Sequence, residues 1–148
     1  MAKKVSQREN VSGRKAPRQA EQPEAFFQMY PTWSFKLLDV NHEKWSFTSA
    51  NDLYRDIIFK LRDYEGQRWN EIIQSSGGRS YGTNNHFENV GSLIKEAQKR
   101  WSELHLEEYD QVFSLRLTGI ERLYGILENG TFKIIWYDKN HEIYPVSK

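Results

Sequence analysis

The chain contains no cysteine, which excludes disulfides, thiolate metal sites and a cysteine nucleophile. It also lacks an 18-residue apolar run and a signal-peptide pattern near its N-terminus, so no membrane partner is expected and a cytoplasmic protein is the default. No His-x-x-x-His or Glu-x-x-His pair places two metal ligands on one helical face. A serine nucleophile is not expected either.

What the chain does have is aromatic bulk. At 148 residues, with 38% hydrophobic and 14% aromatic content, it suits one compact domain with a single core. Its formal net charge of +1 is unevenly spread. Residues 1–24 carry six bases (Lys3, Lys4, Arg8, Arg14, Lys15, Arg18) and three acids (Glu9, Glu21, Glu24), a net of +3; the remainder holds 15 bases and 17 acids, a net of −2. Contact with a polyanion would therefore need a local patch together with the tail. Residues 1–24 lack the apolar surface that offsets ordering entropy and read as a disordered basic arm, leaving 25–148 as the domain.

Trp33, Phe35 and Leu37 alternate with polar residues, as do Trp45 and Phe47, which predicts an N-terminal β-hairpin. Ser49-Ala50-Asn51-Asp52 supplies caps for a helix whose inward face is Leu53, Ile57, Leu61 and Tyr64. A second short helix presents Trp69, Ile72 and Ile73. Gly77 to His86 reads as a loop. Beyond it, Val90, Leu93, Ile94, Ala97, Trp101 and Leu104 mark the longest amphipathic helix. The last third predicts a three-stranded meander near 111–117, 121–127 and 131–137, with Asn129-Gly130 as the tight turn. On its third strand Phe132, Ile134 and Trp136 would face one side, and Lys133, Ile135 and Tyr137 the other. The fold expected is α+β: an antiparallel sheet, built from the meander and the N-terminal hairpin, with two or three helices packed on one face.

Arg116 and Arg122 occupy β-forming positions around Thr118-Gly119, and guanidinium groups placed there suggest an anion such as a phosphate. A two-residue loop would set them on opposite faces, whereas a longer loop or a bulge would set them side by side. Structural roles are the competing explanation: Arg116 could pair with Asp110 or Glu121, and Arg122 with Glu128 or Asp138.

The order of strand, helices and meander, with Ser114-Leu115-Arg116, Arg122-Leu123 and Asp138-Lys139-Asn140-His141, resembles the RelE/HigB superfamily of toxin ribonucleases over roughly residues 89–144. The resemblance implies a metal-free endoribonuclease acting on mRNA, in some members on the ribosome, with a cognate antitoxin as protein partner and no cofactor.

RNA cleavage by the 2′-hydroxyl requires a base, a cation for the phosphorane charge and an acid for the leaving oxygen. Arg116 and Arg122 suit the cationic role and His141 the proton transfer, while Tyr144 could stack on a base or position it. Lys139, Arg79, His86 and Lys133 are candidate nucleic-acid contacts. A metal site made from Asp138, His141 and His86 is a weaker rival. The non-enzymatic alternative is a binding or inhibitor protein that grips a protein or nucleic-acid partner with the same surface. The decisive question is whether Arg122 and His141 share a cleft.

Overall fold

The computed structural model describes residues 26–75 and 84–145; the arm 1–24 and the Gly77–Thr83 part of the glycine-rich segment lie outside them. Three apolar runs form the centre of a sheet: β3 (Gln111–Arg116), β4 (Arg122–Glu128) and β5 (Thr131–Asp138). Asn129 and Gly130 adopt φ of 54° and 84° between β4 and β5, the left-handed pair that a primed hairpin turn requires. Two short edge strands complete the sheet, β1 (Thr32–Ser34) beside β5 and β2 (His86–Asn89) beside β3.

The sheet is mixed rather than antiparallel, because β1 runs parallel to β5 in the register Thr32↔Thr131. The expected N-terminal hairpin does not form. Instead the chain follows the outer edge of β5: Asp39 N donates to Ile135 O at 3.0 Å and Tyr137 N donates to Trp45 O at 2.9 Å. Trp45 enters the core on one face of the sheet, and Phe47 packs against the core on the other. The alternation that resembled a strand is the trace of a chain dividing its aromatic side chains between two cores.

Helices also flank both faces, not one. A π-helical turn at Tyr54–Ile58 leads into α1 (Phe59–Tyr64), followed by α2 (Trp69–Gln74). Ile57, Leu61, Trp69 and Ile72 pack there against Phe113, Leu115, Leu123, Leu127 and Phe132. On the opposite face α3 (Lys95–Glu103) presents Ala97 and Trp101 to Val112, Tyr124, Ile126 and Trp136. A sheet covered on both sides needs apolar side chains on both, and β4 is buried continuously from Leu123 to Leu127. The helices are shorter than their apolar periodicity implied. Val90–Ser92 is a 3-10 turn and Ile94 an extended cap before α3, while Leu53 is 47% exposed and contributes nothing to the first helix's inward face.

One glycine changes which residues face the site. Pairing runs from Tyr124↔Trp136 to Gly125↔Ile134, so Ile135 is an extra residue in a β-bulge. A Cβ on Gly125 would lie 2.1 Å from Lys133 O, so only glycine allows this approach. The bulge breaks the expected alternation: Tyr137 joins Phe132 and Ile134 in one core, while Ile135 and Trp136 enter the other.

Candidate functional site

The loop between β3 and β4 decides the arginine register. Leu117 N donates to Glu121 O at 2.9 Å, and the Thr118 hydroxyl oxygen accepts from Ile120 N and Glu121 N at 3.2 and 2.9 Å. This local hydroxyl-to-backbone bonding stabilises a loop longer than two residues and sets Arg116 directly opposite Arg122, with Asp138 next in the row on β5. Arg122 Nη1 donates to Thr118 O at 2.6 Å and to Glu121 O at 3.0 Å. Among the described residues no acid forms an ion pair with either arginine; Glu128 pairs with Lys133 instead. Burial lowers the Arg122 pKa, and the Arg116 charge adds to that effect against opposing contributions from Tyr124 and Asp138. The guanidinium remains protonated at any physiological pH.

A second row crosses the same face. His86 pairs with Ser114, and Ser114 with Tyr124. Residues two apart on a strand share a face about 7 Å apart, so this row lies within reach of the long arginine side chains. His86 Nε2 lies 2.9 Å from Glu88 Oε2, and the His86 ring meets the Tyr144 ring edge-on at a centroid distance of 6.2 Å. The charge of Glu88 raises the Tyr144 pKa, burial adding to it. Burial strongly raises the Tyr124 pKa, as does the charge of Asp138, while Ser114 and Arg122 act the other way. His86 Nδ1 and Tyr124 Oη are both shielded from solvent and lack a hydrogen-bond partner of good geometry. Trp45 Nε1, Asn70 Oδ1 and Tyr137 Oη share that condition, but none of the three belongs to this row.

The C-terminal turn brings in the second histidine. Asp138 accepts hydrogen bonds from Glu142 N at 3.0 Å and Ile143 N at 2.8 Å, and Ile143 O accepts one from Ile94 N at 3.0 Å. These bonds fold residues 139–143 back along the end of β5, with His141 at φ 59°. Burial is the main cause of a raised Asp138 pKa, only partly offset by its two backbone hydrogen bonds. His141 is shifted down, first by burial and then by the Arg122 charge, against the attraction of Asp138. Arg122 and His141 therefore act on one another at the same end of the sheet.

Of the residues singled out from sequence, the structure gathers Arg116, Arg122, His86, His141 and Tyr144 at this end. Lys133 lies further along the sheet beside Ile126 and pairs with Glu128 at 3.0 Å. Lys139 Nζ donates to Asn51 Oδ1 at 3.1 Å. Arg79 is outside the described residues. Sequence reasoning missed Glu88, Ser114 and Tyr124; the signal was the alternation His86-x-Glu88, which marks a strand where a loop was expected to end. Gly78-Arg79-Ser80-Tyr81-Gly82 does satisfy a Gly-x-Ser-x-Gly pattern by letter. A nucleophile elbow joins a strand to a following helix, whereas this segment follows α2 and precedes β2.

Among the described residues no three His, Asp or Glu side chains are grouped to hold a metal ion, and no helix is long and apolar enough to cross a membrane. Compared with protein-family models, curated proteins and solved structures, the chain matches none of them.

Proposed function

We propose that the protein is a RelE-like toxin, an endoribonuclease that cleaves mRNA without a metal, on or off the ribosome, with a cognate antitoxin as its protein partner. One observation carries the reading: Arg116 and Arg122 stand directly opposite one another with no acid paired to either among the described residues. Like charges opposite each other in a sheet destabilise it, and a phosphodiester bound between them removes that repulsion while accepting their donors.

The groups around the pair suit the rest of the chemistry. His141, shifted towards its neutral form by burial and by Arg122, is a proton acceptor for the 2′-hydroxyl at neutral pH. The two guanidinium groups stabilise the phosphorane charge. Loop carbonyls hold Arg122 in place beforehand, so little reorganisation is needed at the moment of reaction.

The same loop bonds favour the alternative, a binding or inhibitor protein, because they engage Nη1 of the arginine that a nuclease needs. Incubating the purified protein with RNA, with and without ribosomes and EDTA, separates the two. Cleavage should persist in EDTA. Arg122→Ala should keep the fold and slow cleavage a hundred- to a thousandfold, about 2.7 to 4 kcal/mol of transition-state stabilisation. Arg122→Lys should recover only part of that, since it keeps the charge but loses the fork. If the wild type cuts no RNA under either condition and Arg122→Ala weakens only binding, the binding protein replaces the enzyme.

A further inference from the structure

Attack by the 2′-hydroxyl requires it to stand in line with the bond from phosphorus to the 5′-oxygen, and two neighbouring bases stacked as in an A-form strand hold the backbone away from that alignment. We infer that Ile120, at the tip of the loop between β3 and β4, is an apolar wedge that inserts between the two bases flanking the phosphate held by Arg116 and Arg122. The assignment rests on the endoribonuclease reading above and makes single-stranded RNA, whose bases can be splayed apart, the substrate class.

Both guanidinium groups reach the loop tip. Arg122 Nη1 donates to Thr118 O at 2.6 Å and to Glu121 O at 3.0 Å, the carbonyls on either side of Gly119-Ile120. A Cβ added to Gly119 would meet Arg116 Nη2 at 3.7 Å, so a phosphate between the arginines has Ile120 beside it. Ile120 is 59% exposed, although a β-branched aliphatic residue supplies neither the φ freedom nor the side-chain acceptor that turns select. A single exposed apolar residue is ordinary on its own; this one crowns a braced loop. Ile120 N donates to Thr118 Oγ1 at 3.2 Å, and Glu121 O accepts from Leu117 N and Thr118 N at 2.9 and 3.3 Å. The loop's one acid is engaged elsewhere: burial raises the Tyr137 pKa and the charge of Glu121 adds to it, and Tyr137 lies in the core on the opposite face of the sheet from the arginines.

In the complex, Ile120 takes the place of a neighbour in the base stack. Its exposed surface is buried between two base planes, and the separated nucleosides let the backbone turn until the 2′-oxygen, phosphorus and 5′-oxygen line up. Apolar side chains, isoleucine among them, part stacked bases in bent DNA by the same contact.

Two probes test the wedge, with Ile120→Ala expected to keep the wild-type unfolding midpoint. The first is a short single-stranded RNA with 2′-O-methyl groups throughout, which removes the nucleophile, and with 2-aminopurine, a base whose fluorescence is quenched by stacking, at alternate positions. Saturating wild type should brighten it, and saturating Ile120→Ala should brighten it far less. The second is an RNA that the wild type cuts, beside a copy lacking the two bases at the cut site. Ile120→Ala should slow cleavage of the intact RNA about tenfold and of the abasic copy less than about twofold, with Ile120→Leu close to wild type on both. Equal brightening by wild type and Ile120→Ala, or equal losses on the two RNAs, overturns the wedge and leaves the ribonuclease reading in place. A wild type that brightens the probe through Ile120 yet cuts no RNA overturns the ribonuclease reading and leaves the wedge as part of an RNA-binding site. One that does neither overturns both.

Discussion

The same face of the sheet holds two clusters of charge, each built around a buried aspartate, that are treated in opposite ways. Beside α3, Asp39 is 2% exposed and fully answered. Arg100 grips it through Nε at 2.8 Å and Nη2 at 2.7 Å, and Trp136 Nε1 adds a third hydrogen bond at 2.9 Å. Arg100 donates onward to Glu103 at 3.1 Å. At the end of the sheet, Arg116 and Arg122 face each other without an acid partner among the described residues, and Asp138 across from Arg122 is held by backbone N–H groups alone. The contrast teaches that this fold can neutralise a buried charge by planar, two-point pairing. Where it leaves guanidinium groups unpaired beside unsatisfied polar atoms, stability alone does not explain the arrangement.

The largest effect expected from breaking this contrast lies at the satisfied cluster. Arg100→Ala leaves Asp39 buried and unpaired, which should cost about 3 to 5 kcal/mol in denaturant unfolding. Arg116→Ala should do the reverse. Removing one of two opposed positive charges should leave stability unchanged or raise it by about 0.2 to 1 kcal/mol. If Arg116→Ala destabilises as much as Arg100→Ala, the end-of-sheet pair is structural and the contrast fails.

An effect smaller than that of Arg100→Ala sharpens the same point without mutating the charged end beyond one residue. Inorganic phosphate binding between the arginines should raise the unfolding free energy of the wild type by about 2.7 kcal/mol at a hundredfold excess over its dissociation constant. The increment should disappear in Arg116→Ala and survive in Lys133→Ala, whose charge is neutralised by Glu128 elsewhere on the sheet.

How much of this was legible in the sequence follows from the range of the interactions involved. The meander was legible because Asn129-Gly130 and the three apolar runs are local signals, and the strands fall close to their expected bounds. The edge strands were not. β1 has three residues and β2 four, and each exists only because a distant strand offers its backbone, so neither has a local signature. The arginine register depended on hydrogen bonds within residues 117–121, which periodicity cannot see. Face assignments held as far as Ile135 and failed from Trp136 onward, because one close approach at Gly125 inserts a bulge that reverses the alternation of the later side chains. At the candidate site the chemistry-bearing types Arg116, Arg122 and His141 stood out by identity. Glu88, Ser114 and Tyr124 matter only through the neighbours that the sheet gives them.

The smallest effect, and the most discriminating, is in the pH dependence of folding. The Asp39 pKa is lowered: burial pushes it up, but the hydrogen bonds from Arg100 and Trp136 outweigh burial. Below its unfolded value of 3.8, the unfolded chain therefore binds a proton that the folded protein refuses. Its stabilisation is complete above that pH and lost as pH falls through the lower folded value. Asp138 has the opposite sign. Burial raises its folded pKa above 3.8, so between those two values the folded protein holds the extra proton, and stability falls as pH rises through the window. Urea unfolding measured at closely spaced pH values from 2 to 7 should thus show Asp39→Asn flattening the acid loss below about pH 3.8 and Asp138→Asn removing a decline above it. Asparagine at 138 keeps one acceptor for the turn at Glu142 and Ile143, so any uniform loss of stability separates cleanly from the change in slope. Two slopes of the same sign would mean that Asp138 is paired in solution, with His141 or Arg122 as the partner, and that the end-of-sheet charges are as satisfied as those around Asp39.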